Sequence, residues 1–456
     1  MAVRIKSMTE GNPGKLIVAF ALPLMMGNVF QQLYTVVDTM VVGKYLGVDA
    51  LAALGAADWL NWLTLGIVQG LTQGFAILMA QEFGAMRMDS LRRVVGNSAV
   101  LSVIFSVLLT GVGQAAVRPV LLLLRTPEDI LPGSLLYLRV MFWGIPVVTA
   151  YNLLACILRS LGDGKTPLQA MVVASITNIV LDLVFVMVFQ WGIAGAAAAT
   201  LIAQAVSGLF CLYHVRRISM LHLTREDCRL RRDIFPHLLG LGCPMAVQNC
   251  MIGVGGIVMQ SIVNGFGVLF IAGFTATNKL YGILEIAATS YGYAMITYTG
   301  QNLGAEKYGR VRQGVRMALI VAIATSIVIA AVMILFGKGI LGCFISGTPE
   351  EAARTMEIAY RYLTIMSVFL PVLYTLHVFR ASIQGMGNTR LPMLSGVAEF
   401  IMRTAFVLSL PLVIGEDGIF FAEVSAWIGA DIVLVISYFI VAGKCLRPFY
   451  PADTAD

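Results

Sequence analysis

Two carboxylates set inside otherwise apolar segments are the residues of this chain best placed to do chemistry. Asp38 follows Tyr34 by one helical turn and Gln31 by about two, so on a helix all three side chains project from one face. Asn178 and Asp182 show the same four-residue spacing farther along, with Asn152 before them and Thr200 after them. Such oxygens have two physical uses. As hard ligands they could replace the hydration shell of a monovalent cation such as sodium. As buried acids they could bind protons, because desolvation and a neighbouring like charge both disfavour the ionised form. Either use makes the group a site for a coupling ion; the plainer reading is hydrogen bonding between helices, which applies most to Asn152 and Thr200. An ionisable side chain at bilayer depth costs about 2.5 to 3.5 kcal/mol or more, and is retained mainly where it faces a bundle interior or a cavity.

The elements that hold these groups are expected to be membrane helices. Hydrophobic residues make up 58% of the chain and charged residues 12%, against roughly 25% charged in soluble domains. Apolar runs of about 20 residues or more are read at Leu16 to Val42, Leu51 to Met79, Val94 to Val117, Leu136 to Leu158, Leu168 to Phe189, Ile193 to Val215, Phe235 to Val263, Phe270 to Tyr298, Val315 to Leu335, Ile358 to Phe379, Leu391 to Ile414 and Ile419 to Val441. The runs are continuous rather than alternating, which predicts helices and not barrel strands. The fold class is therefore an all-α polytopic membrane protein with twelve transmembrane helices.

The chain is also written twice. Ala80-Gln81-Glu82-Phe83-Gly84-Ala85 recurs as Gly300-Gln301-Asn302-Leu303-Gly304-Ala305 at an offset of 220, and Gly47 and Ala52 fall on Gly267 and Ala272 at the same offset. Leu22-Pro23 and Asn28 match Cys243-Pro244 and Asn249 at 221, and the Gly162 to Pro167 spacing returns in Gly387 to Pro392 at 225. A slowly drifting offset indicates one duplicated unit with small loop insertions, the parallel type of repeat found in secondary transporters. The expected division is an N-terminal six-helix lobe over residues 1–215, a cytoplasmic linker over 216–233 and a C-terminal six-helix lobe over 234–456. Proline at Pro23 and Pro244 removes a helix hydrogen bond and favours a kink, so Pro23 is a candidate gating residue near the Asp38 face.

Charge sets the topology. With a cytoplasmic N-terminus, inside segments collect twenty-two of the 31 Lys and Arg residues, among them Arg4, Arg380 and Arg447, while outside segments hold only Lys44, Arg118, Arg125, Lys338 and Arg354. The positive-inside rule then places both termini in the cytoplasm of a multi-pass inner (cytoplasmic) membrane protein. Met1 to Gly14 is short and polar, so the first helix is expected to act as its own insertion signal. The charged stretch from Arg216 to Asp233 reads as a solvated connector. The seven cysteines include no Cys-x-x-Cys pair and read as small apolar residues.

Pro23 with Gln31, Tyr34 and Asp38, then Gly84-Ala85, Asn152, Asn178 with Asp182, and Thr200 together resemble the multidrug and toxic compound extrusion (MATE) family over essentially the whole chain, and most its archaeal and DinF-like branch. The resemblance implies a cation or proton site at Asp38, Asn178, Asp182 and Thr200, holding sodium if sodium is the coupling ion, with Gln31, Tyr34 and Asn152 in support. It further implies two lobes in a V shape, alternating access, and export of amphipathic, often cationic compounds in exchange for sodium ions or protons, with no enzymatic activity and no cofactor. One feature departs from the NorM-like branch, which is expected to carry carboxylates in the seventh and tenth helices: Phe235 to Val263 and Ile358 to Phe379 contain neither Asp nor Glu.

The second half carries Lys279, Glu285, His377, Glu399, Arg403, Glu423 and Asp431 within its spans. Glu399 and Arg403, one turn apart, are expected to form an internal salt bridge. Intramembrane hydrolase motifs and a Gly-x-x-x-x-Gly-Lys-Ser/Thr loop are absent from the sequence. The alternative class is a lipid-linked oligosaccharide flippase, which needs a cationic cavity where this cluster is acidic. Expected partners are small amphipathic or cationic molecules and the lipid bilayer, without nucleic acid, and the chain is expected to act as a monomer.

Overall fold

A bilayer offers no water to backbone N–H and C=O groups, so apolar segments of this length close their hydrogen bonds within helices. The computed structural model describes residues 5–124, 126–345 and 348–446; Arg4, Arg125 and Arg447 of the charge count lie outside the described residues. The helices are α1 (Pro13–Leu46), α2 (Val48–Gly84), α3 (Met88–Leu123), α4 (Leu131–Trp143), α5 (Ile145–Ser160), α6 (Lys165–Asp182), α7 (Gly192–Arg216), α8 (Phe235–Val263), α9 (Val268–Gly304), α10 (Tyr308–Gly342), α11 (Pro349–Val368), α12 (Leu370–Gly385), α13 (Arg390–Ser409), α14 (Pro411–Ile414) and α15 (Asp417–Cys445). No strand occurs among the described residues.

Nine helices among the described residues are long and apolar enough to cross a membrane, and eleven spans result when α4 with α5 and α11 with α12 each count as one. The twelfth expected span falls in α9, whose 37 residues are ample for a crossing but whose apolar run is broken by Asn278, Lys279 and Glu285. Large apolar side chains such as Leu33, Met40, Val107, Leu209 and Phe336 stand exposed, as the lipid-facing surface of a membrane protein requires.

The fourth and tenth spans, expected as single runs, are each bent by 49°. The breaks fall at Gly144 and Phe369, two residues before Pro146 and Pro371. Proline has no N–H to donate and its ring collides with the preceding turn. Pro146 and Pro371 are 225 residues apart, so the duplicated unit repeats its bend as well as its sequence. The turns repeat too: φ is positive at Met86 and Glu306, Gly47 and Gly267, and Gly162 and Gly387.

Two compact units emerge. One gathers Phe20–Met79 and Arg87–Ile257 with the first residues of the chain. Within it α2 runs against the first part of α8 so closely that a Cβ at Gly74 would strike the Gly242 backbone, and Asn249 Nδ2 donates to the Gly66 carbonyl at 2.8 Å. The other unit gathers Ser7–Ala19, Ala80–Met86 and the residues from Val258 onward. There the ends of α2 and α9 cross at Gly84 and Gly304, where a Cβ on either glycine would meet the carbonyl of Gln301 or Gln81 respectively. Arg380, grouped with the basic loops by its sequence position, instead lies inside α12, nine-tenths buried, and donates from Nη2 to Glu399 Oε2 at 2.8 Å. Its charge is compensated within the protein, so it needs no cytoplasmic water.

The stretch expected as a solvated connector is docked on α3. Buried Asn97 donates from Nδ2 to the Asp227 carbonyl at 3.2 Å and accepts the Arg231 N–H at 3.0 Å. Asp227 in turn accepts the N–H and hydroxyl of Thr224 at 2.9 and 2.8 Å. Burial pushes the Asp227 carboxyl up, but the two Thr224 hydrogen bonds and nearby Arg92 and Arg93 outweigh it and hold the group below its ordinary value. A depressed carboxyl contributes stability that is present above the unfolded pKa and lost as pH falls through the folded one. The segment should therefore resist proteolysis at pH 7 and be cleaved once pH drops below the ordinary carboxylate range, with Asp227→Asn making it labile at pH 7. Equal cleavage of variant and parent at pH 7 would show that the carboxylate does not fasten it.

Candidate functional site

The first unit assembles its polar groups on four helices and the turn that follows one of them. α1 supplies Gln31, Tyr34 and Asp38 and is held against α6 by Ser175 Oγ, which donates to the Phe30 carbonyl at 3.3 Å. Gly27 permits the approach, since a Cβ there would sit 3.2 Å from Met171 Sδ. α7 is tied to α6 by Ser207 Oγ donating to the Ala170 carbonyl at 3.2 Å. Directly after Asp182 the chain widens into a π-helical turn, Leu183–Val188, a departure often found at functional sites. Phe185, Phe189 and Trp191 cluster around that turn with ring centroids 4.7 to 6.0 Å apart. Val41, Val42, Leu54, Ala57, Tyr137 and Val186 form part of the apolar core beside the carboxylates.

Asn178 and Asp182 are the most deeply buried of these groups, 1% and 0% exposed. Asn178 Nδ2 donates to Thr200 Oγ1 at 3.5 Å. The Tyr34 hydroxyl lies within hydrogen-bonding reach of the Gln31 and Gln204 side chains and in the field of Asp38 and Asp182, and Asp38 and Asp182 feel each other's charge. Gln31, Tyr34, Asp38, Asn178, Asp182 and Thr200 thus share one neighbourhood. Asn152 on α5 gives its amide N–H to the Val148 carbonyl of its own helix at 2.9 Å. Pro23 lies within α1, which runs through it as one helix.

Three members escaped the sequence reading. Asp58 on α2 lies in the field of Asp38, and buried Tyr137 on α4 in the field of Asp38, Asp58 and Asp182. Asp58 is a carboxylate within an apolar run, the same signal that singles out Asp38. Gln204 stands one turn beyond Thr200, the spacing that joined Asn178 to Asp182. Tyr137 had no comparable signal.

The chemistry of the site lies in its unsatisfied acceptors. Asp38 Oδ1, Asn178 Oδ1, both Asp182 carboxylate oxygens and Gln204 Oε1 are buried without a hydrogen-bond partner in the protein. Buried polar atoms are nearly always paired, and an unpaired one costs roughly 1 to 3 kcal/mol. Five acceptors gathered in one place, three of them carboxylate oxygens, form a set that a cation or a proton would satisfy. No group of three or more His, Cys, Asp and Glu side chains is arranged to hold a metal among the described residues, so a bound cation would draw on amide and hydroxyl oxygens as well as carboxylates. All seven cysteines are free thiols.

Comparison with known proteins gives a consistent picture. A family model described as MatE matches residues 23–184 and 244–408. Among similar proteins, a probable multidrug resistance protein YpnP of Bacillus subtilis is 29% identical over 90% of this chain and 91% of its own. A probable multidrug resistance protein NorM of Thermotoga maritima is 24% identical over 92% and 89%. A solved MOP superfamily transporter from Pyrococcus furiosus superposes with a TM-score of 0.89 at 23% identity, covering 98% of each chain.

Proposed function

Because the chain belongs to the MATE family of membrane transporters, we propose that it is a secondary multidrug efflux antiporter, exporting amphipathic and often cationic compounds in exchange for sodium ions or protons. As a transporter it moves its substrates without converting them. The observation that carries this reading is the set of unpartnered buried oxygens on Asp182 and Asn178 beside Asp38. Asp38, Asn178, Asp182 and Thr200 bind the coupling ion, with Gln31 and Tyr34, within hydrogen-bonding reach of each other on the same helix as Asp38, and the more remote Asn152 in support. Two negative charges that feel each other bind a first cation far more tightly than a second. An organic cation reaching this field therefore weakens the hold on the coupling ion, and by linkage the coupling ion weakens the hold on the organic cation to the same degree. The name of the Bacillus subtilis relative supports drugs as the cargo.

In this reading residues 1–215 and 234–456 are the two lobes joined by 216–233, the protein works as a monomer in the cytoplasmic membrane, and both termini face the cytoplasm. Pro23 lets α1 bend as the ion binds and leaves. Pro23→Ala is expected to slow exchange by about fivefold, the effect of about 1 kcal/mol on a barrier, with ion binding retained. Unchanged efflux rates in rapid-mixing measurements would remove that role.

The function is tested by reconstituting the protein in liposomes and following a fluorescent lipophilic cation under an imposed sodium or pH gradient. Transport driven by one gradient identifies the ion. Transport driven by neither, from a folded protein, would shift the reading to a lipid flippase.

A further inference from the structure

The exposed cations at the two ends of the second unit are treated differently. Where α10 ends and α11 and α15 begin, each has a partner in the protein. Arg354 is paired with Glu357 at 2.9 Å and with Glu416 at 3.4 Å, and Arg361 with Asp417 at 2.6 Å. Lys338 lies 4.8 Å from the centre of the Tyr360 ring. Where α10 begins and α15 ends, Lys307 donates to the Thr9 carbonyl and Arg310 to Asn302 Oδ1, both at 3.1 Å. Three further cations stand at that end, Arg312 and Arg316 on α10 and Lys444 on α15. All three are exposed, and none has a carboxylate partner among the described residues.

One hydrogen bond gathers the three. Arg312 Nη2 donates to the Leu446 carbonyl at 3.0 Å, which brings the C-terminal end of α15, with Lys444 two residues earlier, to the first turns of α10. A carbonyl satisfies a guanidinium donor without cancelling its charge. Like charges collected without a counter-charge repel, so an anion at this end stabilises the arrangement.

The helices place the cations at headgroup level. Residues 317–336 of α10 contain no charged side chain. At 1.5 Å per residue they cover about 30 Å, the thickness of the hydrocarbon core, so Arg316 stands at one boundary of it. Arg312 and Arg316 are four residues apart on one face, and their row continues through Ile320 and Ile327, both exposed. Lys444 ends a matching row on α15, Ile432, Ile436 and Ile440, also exposed at four-residue steps. Each row is apolar through the hydrocarbon and basic at its end, which matches a phospholipid with its acyl chains beside the isoleucines. Guanidinium groups bind phosphate oxygens in a fork. A zwitterionic headgroup would bring a cation of its own to these charges, so an anionic lipid fits best.

We infer that Arg312, Arg316 and Lys444 form a binding site for the headgroup phosphate of an anionic phospholipid, whose acyl chains lie along the isoleucine rows of α10 and α15. The site concerns the membrane-facing surface of the second unit and does not rest on the antiport reading.

Native mass spectrometry of the full-length protein, released from detergent micelles holding equal amounts of phosphatidylglycerol and phosphatidylcholine, tests the assignment without any transport measurement. The parent is expected to retain phosphatidylglycerol at least about tenfold better than phosphatidylcholine. Arg316→Gln should lower that retention about fivefold, and Arg312→Gln with Arg316→Gln about 30-fold, as expected from the attraction of one cation each. Arg312→Lys keeps the charge and should keep most of the lipid, which separates lost charge from a loosened α15 if the Gln variant folds poorly. Arg225→Gln with Arg229→Gln removes two exposed charges from residues 216–233 of the first unit and should leave retention at the parental level. Equal phosphatidylglycerol retention in the parent and the Arg312→Gln, Arg316→Gln variant would overturn the inference. An equal loss in the Arg225→Gln, Arg229→Gln variant would overturn it too, since diffuse surface charge would then hold the lipid. The rival occupant is the chain's own C-terminus: lipid retention that emerges only in Asp453→Asn with Asp456→Asn would assign the arginines to those carboxylates instead.

Discussion

Asp182→Asn is expected to lower gradient-driven efflux by about 100-fold or more and to leave the protein at least as stable as the parent. The exchange is nearly isosteric, so the 0% exposed site keeps its shape. Neither Asp182 oxygen has a hydrogen-bond partner in the protein, so no internal bond is broken. What is lost is the negative charge that holds a cation, together with one of the acceptors. A 100-fold loss corresponds to about 2.7 kcal/mol, within the range for removing one partner of a buried charged contact. Removing an uncompensated buried charge relieves its desolvation cost, so the unfolding temperature should hold or rise. The assay is the reconstituted cation efflux described above, paired with thermal unfolding in detergent. Near-parental efflux from a folded variant would take the coupling site away from Asp182.

Arg403→Met should behave in the opposite way, costing about 3 to 5 kcal/mol of stability. Met fills much of the same volume but cannot neutralise Glu399 and Glu423, which are 4% and 9% exposed and accept three hydrogen bonds from Arg403. Two carboxylates would then face each other with only Arg380 for compensation. The double variant Arg403→Met with Glu423→Gln removes one orphaned charge and should recover a large part of the loss. Denaturant titrations of the parent and both variants measure this directly. A single variant within about 1 kcal/mol of the parent would mean that the network does not hold α13 and α15 together. The two substitutions thus separate buried charges that look alike in the sequence: the one at Asp182 has no partner in the protein, and those of Glu399 and Glu423 are answered from within.

Several features depended on local order and could be read without coordinates. Membrane helices followed from uninterrupted apolar runs, because a bilayer forces any such run to satisfy its own backbone. The duplication was legible in Gly47 with Gly267, Gly84 with Gly304 and Gly162 with Gly387, and the structure gives the first and third pairs matching positive φ. Spacing along a single helix placed Tyr34 with Asp38, Asn178 with Asp182, and Glu399 with Arg403, the last now seen at 3.0 Å.

Tertiary structure decided which helices meet and through which faces. A soluble helix shows its inward face as an apolar stripe, but α1, α2, α7 and α8 are apolar nearly all round, so their sequences carry no such mark. That is why Tyr137 joined the site only once α1, α2, α4, α6 and α7 were placed in space, whereas Asp58 and Gln204 already carried a signal in the sequence. It is also why Arg380 could be taken for a loop cation when Glu399, 19 residues away, was its partner all along. Residue type and spacing determined the elements and their chemistry; contacts between helices uniform in polarity come from side-chain fit in three dimensions, which no one-dimensional period encodes.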